Sequence, residues 1–151
     1  MKALLFVSLI FFGNFPTPIH DVPLAKFHIK ASDDIIEMDI IFDLEDFTES
    51  LEIRTTDVNL ESVQNYIAKN TSFQFNAQVA NLKISEVKII RNHLKVKGDF
   101  GESKMIIKNI EIENRCLINI PNHSNVIQID LNNKSKDYRM HKKRTVINLK
   151  Y

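Results

Sequence analysis

A chain of 151 residues carrying 20 lysines and arginines against 19 acids is the size of one domain, and it offers no global electrostatic reason to bind nucleic acid. Its lone cysteine, Cys116, excludes an internal disulfide and a cysteine-based zinc cluster, and three glycines are too few for a phosphate-cradling loop. Abundant isoleucine and valine, with no tryptophan, favour strands over helices.

In chain order, Met1-Lys2 is a short positive start and Ala3 to Phe12 an apolar run broken only by Ser8. Gly13-Asn14 and Pro16-Thr17-Pro18 then interrupt it. These are the parts of a secretory signal peptide, expected over residues 1–19, with one β-rich domain over 20–151. The run is shorter than the roughly 20 residues a membrane span needs, so no transmembrane segment is expected once the signal is removed. No cysteine follows it to take a lipid anchor. The only charge in residues 1–19 is Lys2, so its removal leaves the acids and bases equal at 19.

Ala25 to Ala31 alternates polar and apolar residues, Asp33-Asp34 signals a turn, and Ile36 to Asp43 alternates again: a hairpin. Asp43 then caps a helix over 44–52, with Leu44, Phe47 and Leu51 on one face. Asn59 caps a second over 60–69, with Asn70 as a left-handed stop. From Ser72 the pattern is β: Phe73 and Phe75 alternate with polar residues, and Arg91-Asn92 links strands over 81–90 and 93–100. Residues 104–120 read as one long strand and Pro121 to Asn125 as a loop. Strands over 126–131, around Tyr138 and Met140, and over 145–149 complete the chain, with a turn at Asn132-Asn133. The predicted class is α+β, mainly antiparallel β, a sandwich or strongly bent sheet with two short helices after the first hairpin.

Several blocks resemble an uncharacterised family of small exported bacterial proteins. They are Ala25-Lys26-Phe27-His28-Ile29-Lys30, Asp39 through Phe47, Asn114 through Ile120, Asn122 through Ile129, and Asn133 through Met140. Members carry a signal peptide and a histidine near the mature start. The resemblance implies export and a domain of unknown function, and brings no activity with it. The family's Asp-Gln pair in the late loop is Asn122-His123 here.

Chemistry-bearing clusters are sparse. There is no Gly-x-Ser-x-Gly elbow and no His-Glu-x-x-His pair. Cys116 lies in a strand-like run and reads as a small buried apolar residue. The five histidines, His20, His28, His93, His123 and His141, lack metal-ligand spacing. A chain beginning at His20 would hold Cu²⁺ between its α-amino group and imidazole, with His28 as a further nitrogen; these two are the candidate metal ligands. The segment 33–52 holds Asp33, Asp34, Glu37, Asp39, Asp43, Glu45, Asp46, Glu49 and Glu52 with no lysine or arginine. It reads first as a solvated face with helix capping, and second as a divalent-cation site or paired carboxylates. The opposite pole, Lys134, Lys136, Arg139, Lys142, Lys143 and Arg144, reads as an edge hairpin whose lysines discourage sheet pairing. Its functional readings are a nucleic-acid patch, which fits poorly with export and with Tyr138 as the one interleaved aromatic, and a surface that contacts anionic lipid headgroups or surface polysaccharide.

These features point to a non-enzymatic periplasmic or envelope-associated module, without cofactor, that binds a protein or an envelope component and not nucleic acid. The alternative is a small extracytoplasmic hydrolase or metal-binding protein using the acidic segment with His28 or His93. Convergence of those groups in a concave pocket separates the two.

Overall fold

The computed structural model describes residues 23–32, 34–102 and 106–151. Alternation builds the first hairpin: β1 (Leu24–Ser32) buries Ala25, Phe27 and Ile29, and β2 (Ile35–Asp43) buries Ile36, Met38, Ile40 and Phe42. They pair antiparallel with Phe27 opposite Ile40, so both apolar sets fall on one face. Asp43 then starts α1 (Leu44–Leu51): its Oδ1 accepts from the N–H groups of Glu45 and Asp46 at 2.9 and 3.1 Å. Glu45 and Asp46 in the first turn complement the helix dipole. Asn59 caps α2 (Leu60–Asn70) by accepting from the Ser62 N–H at 3.0 Å. The left-handed stop expected at Asn70 does not form. Asn70 stays helical and donates to the Tyr66 carbonyl at 2.8 Å, and Thr71 leaves in extended conformation straight into a strand. The Thr71 hydroxyl donates to the Ile67 carbonyl at 2.8 Å and the Arg115 N–H to the Asn70 carbonyl at 2.8 Å, so the end of the helix needs no terminal turn.

The strands that follow are β3 (Thr71–Phe75), β4 (Gln78–Ala80), β5 (Lys83–Ile90), β6 (His93–Glu102), β7 (Asn109–Asn114), β8 (Ser124–Leu131), β9 (Lys134–Met140) and β10 (Val146–Lys150). They make a six-stranded sheet in the order β5-β6-β2-β1-β8-β9 and a four-stranded sheet in the order β10-β7-β3-β4. All pairings are antiparallel except β1 with β8. The α+β architecture, mainly antiparallel with two short helices, is as the sequence pattern predicts. The strand expected over 104–120 is shorter: β7 ends at Asn114, whose side-chain carbonyl accepts from the Cys116 N–H at 2.9 Å and turns the chain. Leu117 then takes the left-handed region (φ 56). Part of that expected strand, 104–105, lies outside the described residues.

The core lies between the two sheets. Phe100 of β6 meets Phe73 and Phe75 of β3 edge-on, with ring centroids 4.9 and 5.1 Å away. The helices close the same inner face through Phe42, Phe47 and Tyr66. Gly98 is required where β5 bulges onto β6, since a Cβ there would lie 2.6 Å from the Lys83 carbonyl oxygen. The start of the β5 edge is blunted by Gln64 of α2. Its Oε1 accepts from the Ile84 N–H at 2.7 Å and its Nε2 donates to the Leu82 carbonyl at 3.0 Å, as a neighbouring strand would. Among the described residues, no helix is long and apolar enough to cross a membrane.

Candidate binding face

One face of the six-stranded sheet meets the core; the other presents polar side chains, because alternate residues of every strand point away from it. Register places these side chains in rows across the strands. One row runs Lys83, Asp99, Glu37, Lys30, Asp130, Ser135 from β5 to β9. The next runs Glu86, Lys97, Asp39, His28, Gln128, Asp137. The third is Lys88, Lys95, Ile41, Lys26, Val126, Arg139, which contains no acid. The first two rows mix both signs, with acids outnumbering lysines in each. Lys30 holds Asp39 at 2.7 Å and Glu37 at 3.6 Å, and these carboxylates raise its pKa, Asp39 most. His28 Nε2 lies 2.6 Å from Asp130.

Beside the third row is a cavity of about 670 Å³, open to solvent. Lys26, Lys95, His93, Asp43, Asp46 and Leu24 line it. Partial burial, together with Asp43, Glu49 and Glu45 nearby, lifts the Asp46 carboxyl above the usual carboxylate range. Behind Asp46 is His123, whose side chain is fully buried. Its Nε2 is 3.2 Å from Asn125 Oδ1, and its Nδ1 is 3.9 Å from Asp46, too far for a hydrogen bond. Burial lowers the ring's pKa, against the Asn125 hydrogen bond that raises it, and so favours the uncharged imidazole. Asn125 in turn donates to the Cys116 carbonyl at 2.8 Å and to Asn114 Oδ1 at 3.2 Å. Tyr66 completes this buried polar knot: its hydroxyl accepts from the Leu117 N–H at 2.9 Å, and burial pushes its phenol up to about 12.

This arrangement has a pH consequence. Unfolded His123 takes a proton below about 6.5, whereas the folded ring resists it. Stability from the neutral buried ring is therefore complete above 6.5 and lost as pH falls toward the folded value. Urea unfolding at pH 7.5 and 5.5 should show a larger loss for wild type than for His123→Gln. Equal losses would show that the ring is not held neutral.

The candidate site residues scatter. His20 and the segment 1–19 lie outside the described residues; His28 sits on the open face against Asp130. No group of three or more His, Cys, Asp or Glu side chains that could hold a metal occurs among the described residues. The acidic segment divides: Glu37 and Asp39 pair with Lys30, whereas Asp43 and Asp46 share the cavity with His93. Asp33 is outside the described residues. The basic segment also divides, because β9 alternates. Arg139 joins the open face opposite Val126, while Lys134 and Lys136 align with the core-facing Leu131 and Ile129. Lys136 lies over the Tyr151 ring at 4.5 Å and donates to the Lys150 carbonyl. Lys142 and Lys143 form a turn closed by a His141–Arg144 bridge. Cys116 is fully buried, its thiol pKa pushed up by desolvation, and among the described residues it has no hydrogen bond to His123. The sequence reading missed the basic row. Its only trace was the polar parity of Lys26, Lys95 and Arg139 within their own strands. No protein-family model and no curated protein matches the chain.

Proposed function

We propose that this protein is an exported, envelope-associated, non-enzymatic module that binds an envelope component through the open face of its six-stranded sheet. The observation that carries the reading is that face: a broad lattice of charged side chains in register, with one row purely basic. Export rests on the charged start, apolar run and Pro-containing break of residues 1–18. The rival, a small hydrolase, draws support from Asp43, Asp46 and His93 around one cavity. Against it, one Asp43 oxygen is committed to capping α1, His28 is engaged elsewhere, and the thiol is buried.

Two results are expected in the native host. Residues 1–25 fused to a reporter active only outside the cytoplasm give signal, and the full-length chain fractionates with the envelope. A full-length product confined to the cytoplasm would overturn the proposal.

A further inference from the structure

We infer that the row Lys95, Ile41, Lys26, Val126, Arg139 is the seat of a linear acidic polysaccharide, a glycan carrying a carboxylate on every second sugar, laid across the strands. This deepens the binding reading above and rests on it. Lys95, Lys26 and Arg139 are exposed and, among the described residues, take part in no ion pair; Lys30 and Lys88 on the same face do. They occupy every second strand, so neighbouring strands spaced about 4.8 Å apart set the cations about 10 Å from one another and about 19 Å end to end. A carboxylate on alternate sugars of an extended glycan recurs at a matching interval. Between the cations stand Ile41 and Val126, half-buried and apolar, against which the C–H faces of the intervening sugars pack.

The neighbouring rows decide between kinds of anion. Glu86, Asp39 and Asp137 flank the basic row on one side and Asp43 lies on the other. A planar anionic membrane would press on those acids as well, whereas a single polymer strand follows the basic row and avoids them. A single-stranded nucleic acid requires aromatic platforms for its bases. The basic row and these flanking positions carry no phenylalanine or tyrosine, and the chain has no tryptophan.

The test uses the full chain with four probes: hyaluronate, neutral dextran, oligo-dT, and phosphatidylglycerol vesicles. Hyaluronate should bind, weaken as salt rises from about 50 to 200 mM, and bind more tightly than the other three. The triple variant Lys26→Gln, Lys95→Gln, Arg139→Gln should lose affinity by about tenfold, as three exposed charge contacts imply. Val126→Glu, which sets a carboxylate inside the row, should lose as much, whereas Lys142→Gln with Lys143→Gln should stay within about twofold. Oligo-dT or vesicles binding as tightly as hyaluronate, an unaffected triple variant, or no hyaluronate binding would each overturn the assignment. Export and envelope attachment that persist in the triple variant would leave the broader reading standing and reject this one.

Discussion

Phe42→Ala is expected to reduce the unfolding free energy by about 3–5 kcal/mol, the cost of deleting a large buried aromatic that its surroundings cannot refill. Phe42 is the last core residue of β2 and is wholly buried. Its ring meets Phe27 of β1 at 5.6 Å, edge-on, Phe47 of α1 at 5.2 Å and Tyr66 of α2 at 6.5 Å. One side chain therefore joins the central strands to both helices, and each aromatic pairing adds about 0.5–1.5 kcal/mol beyond the area it buries. Phe42→Leu keeps much of the volume and should cost clearly less. Urea titrations of the three proteins decide the matter: the midpoint should fall in the order Phe, Leu, Ala with unchanged slope. An alanine variant within about 1 kcal/mol of wild type would mean the cluster is not a packing centre.

Asn125→Ala should cost about 3 kcal/mol without changing the apolar core, because it orphans buried groups rather than opening contacts. Asn125 is on the core face of β8 and is fully buried. Its amide supplies the Cys116 carbonyl and Asn114 Oδ1 with donors and gives His123 Nε2 a partner. These bonds tie the chain between β7 and β8 to the sheet, so their loss should loosen that segment first. Maleimide labelling of native Cys116 reads this directly. It should be slow in wild type, where the thiol is sealed, and should accelerate in Asn125→Ala. Asn125→Asp should be worse than alanine, since a carboxylate has no N–H to offer and adds a buried charge. Wild-type labelling rates in both variants would show that the knot does not hold the segment.

Local signals survived folding wherever the physics that produced them was local. Asp43 and Asn59 cap helices because an Asx side chain before an amphipathic run satisfies the first free N–H groups whatever lies beyond. Arg91 adopts positive φ in the turn between β5 and β6, and Asn132 and Asn133 do so between β8 and β9. Where distant partners intervened, the reading slipped. Asn70 would end a helix in isolation, but the ladder between β3 and β7 draws the next residue into a strand. Asn114 stops an isoleucine-rich run because its side chain bonds two residues ahead, a feature hidden by strong strand propensity. The candidate site was least legible. A basic segment read along the chain divides over two faces once β9 alternates. The basic row takes one residue from each of three strands that are far apart in sequence, and only register brings them together.

The parallel pairing of β1 with β8 sets the order in which the sheet can be completed. His28 meets an aspartate 102 positions later, and closing a loop of that length costs about 4 kcal/mol of chain entropy before any contact compensates. β1, β2, β6 and β5 pair antiparallel over shorter separations and can assemble first, which leaves one edge of β1 with unmatched backbone groups until β8 arrives. In that order of assembly the free edge of β1 lies in the middle of the future sheet and stays open until the late strand pairs with it. The sheet therefore cannot close until the last third of the chain is present, because the strand that covers this edge of β1 begins only at Ser124.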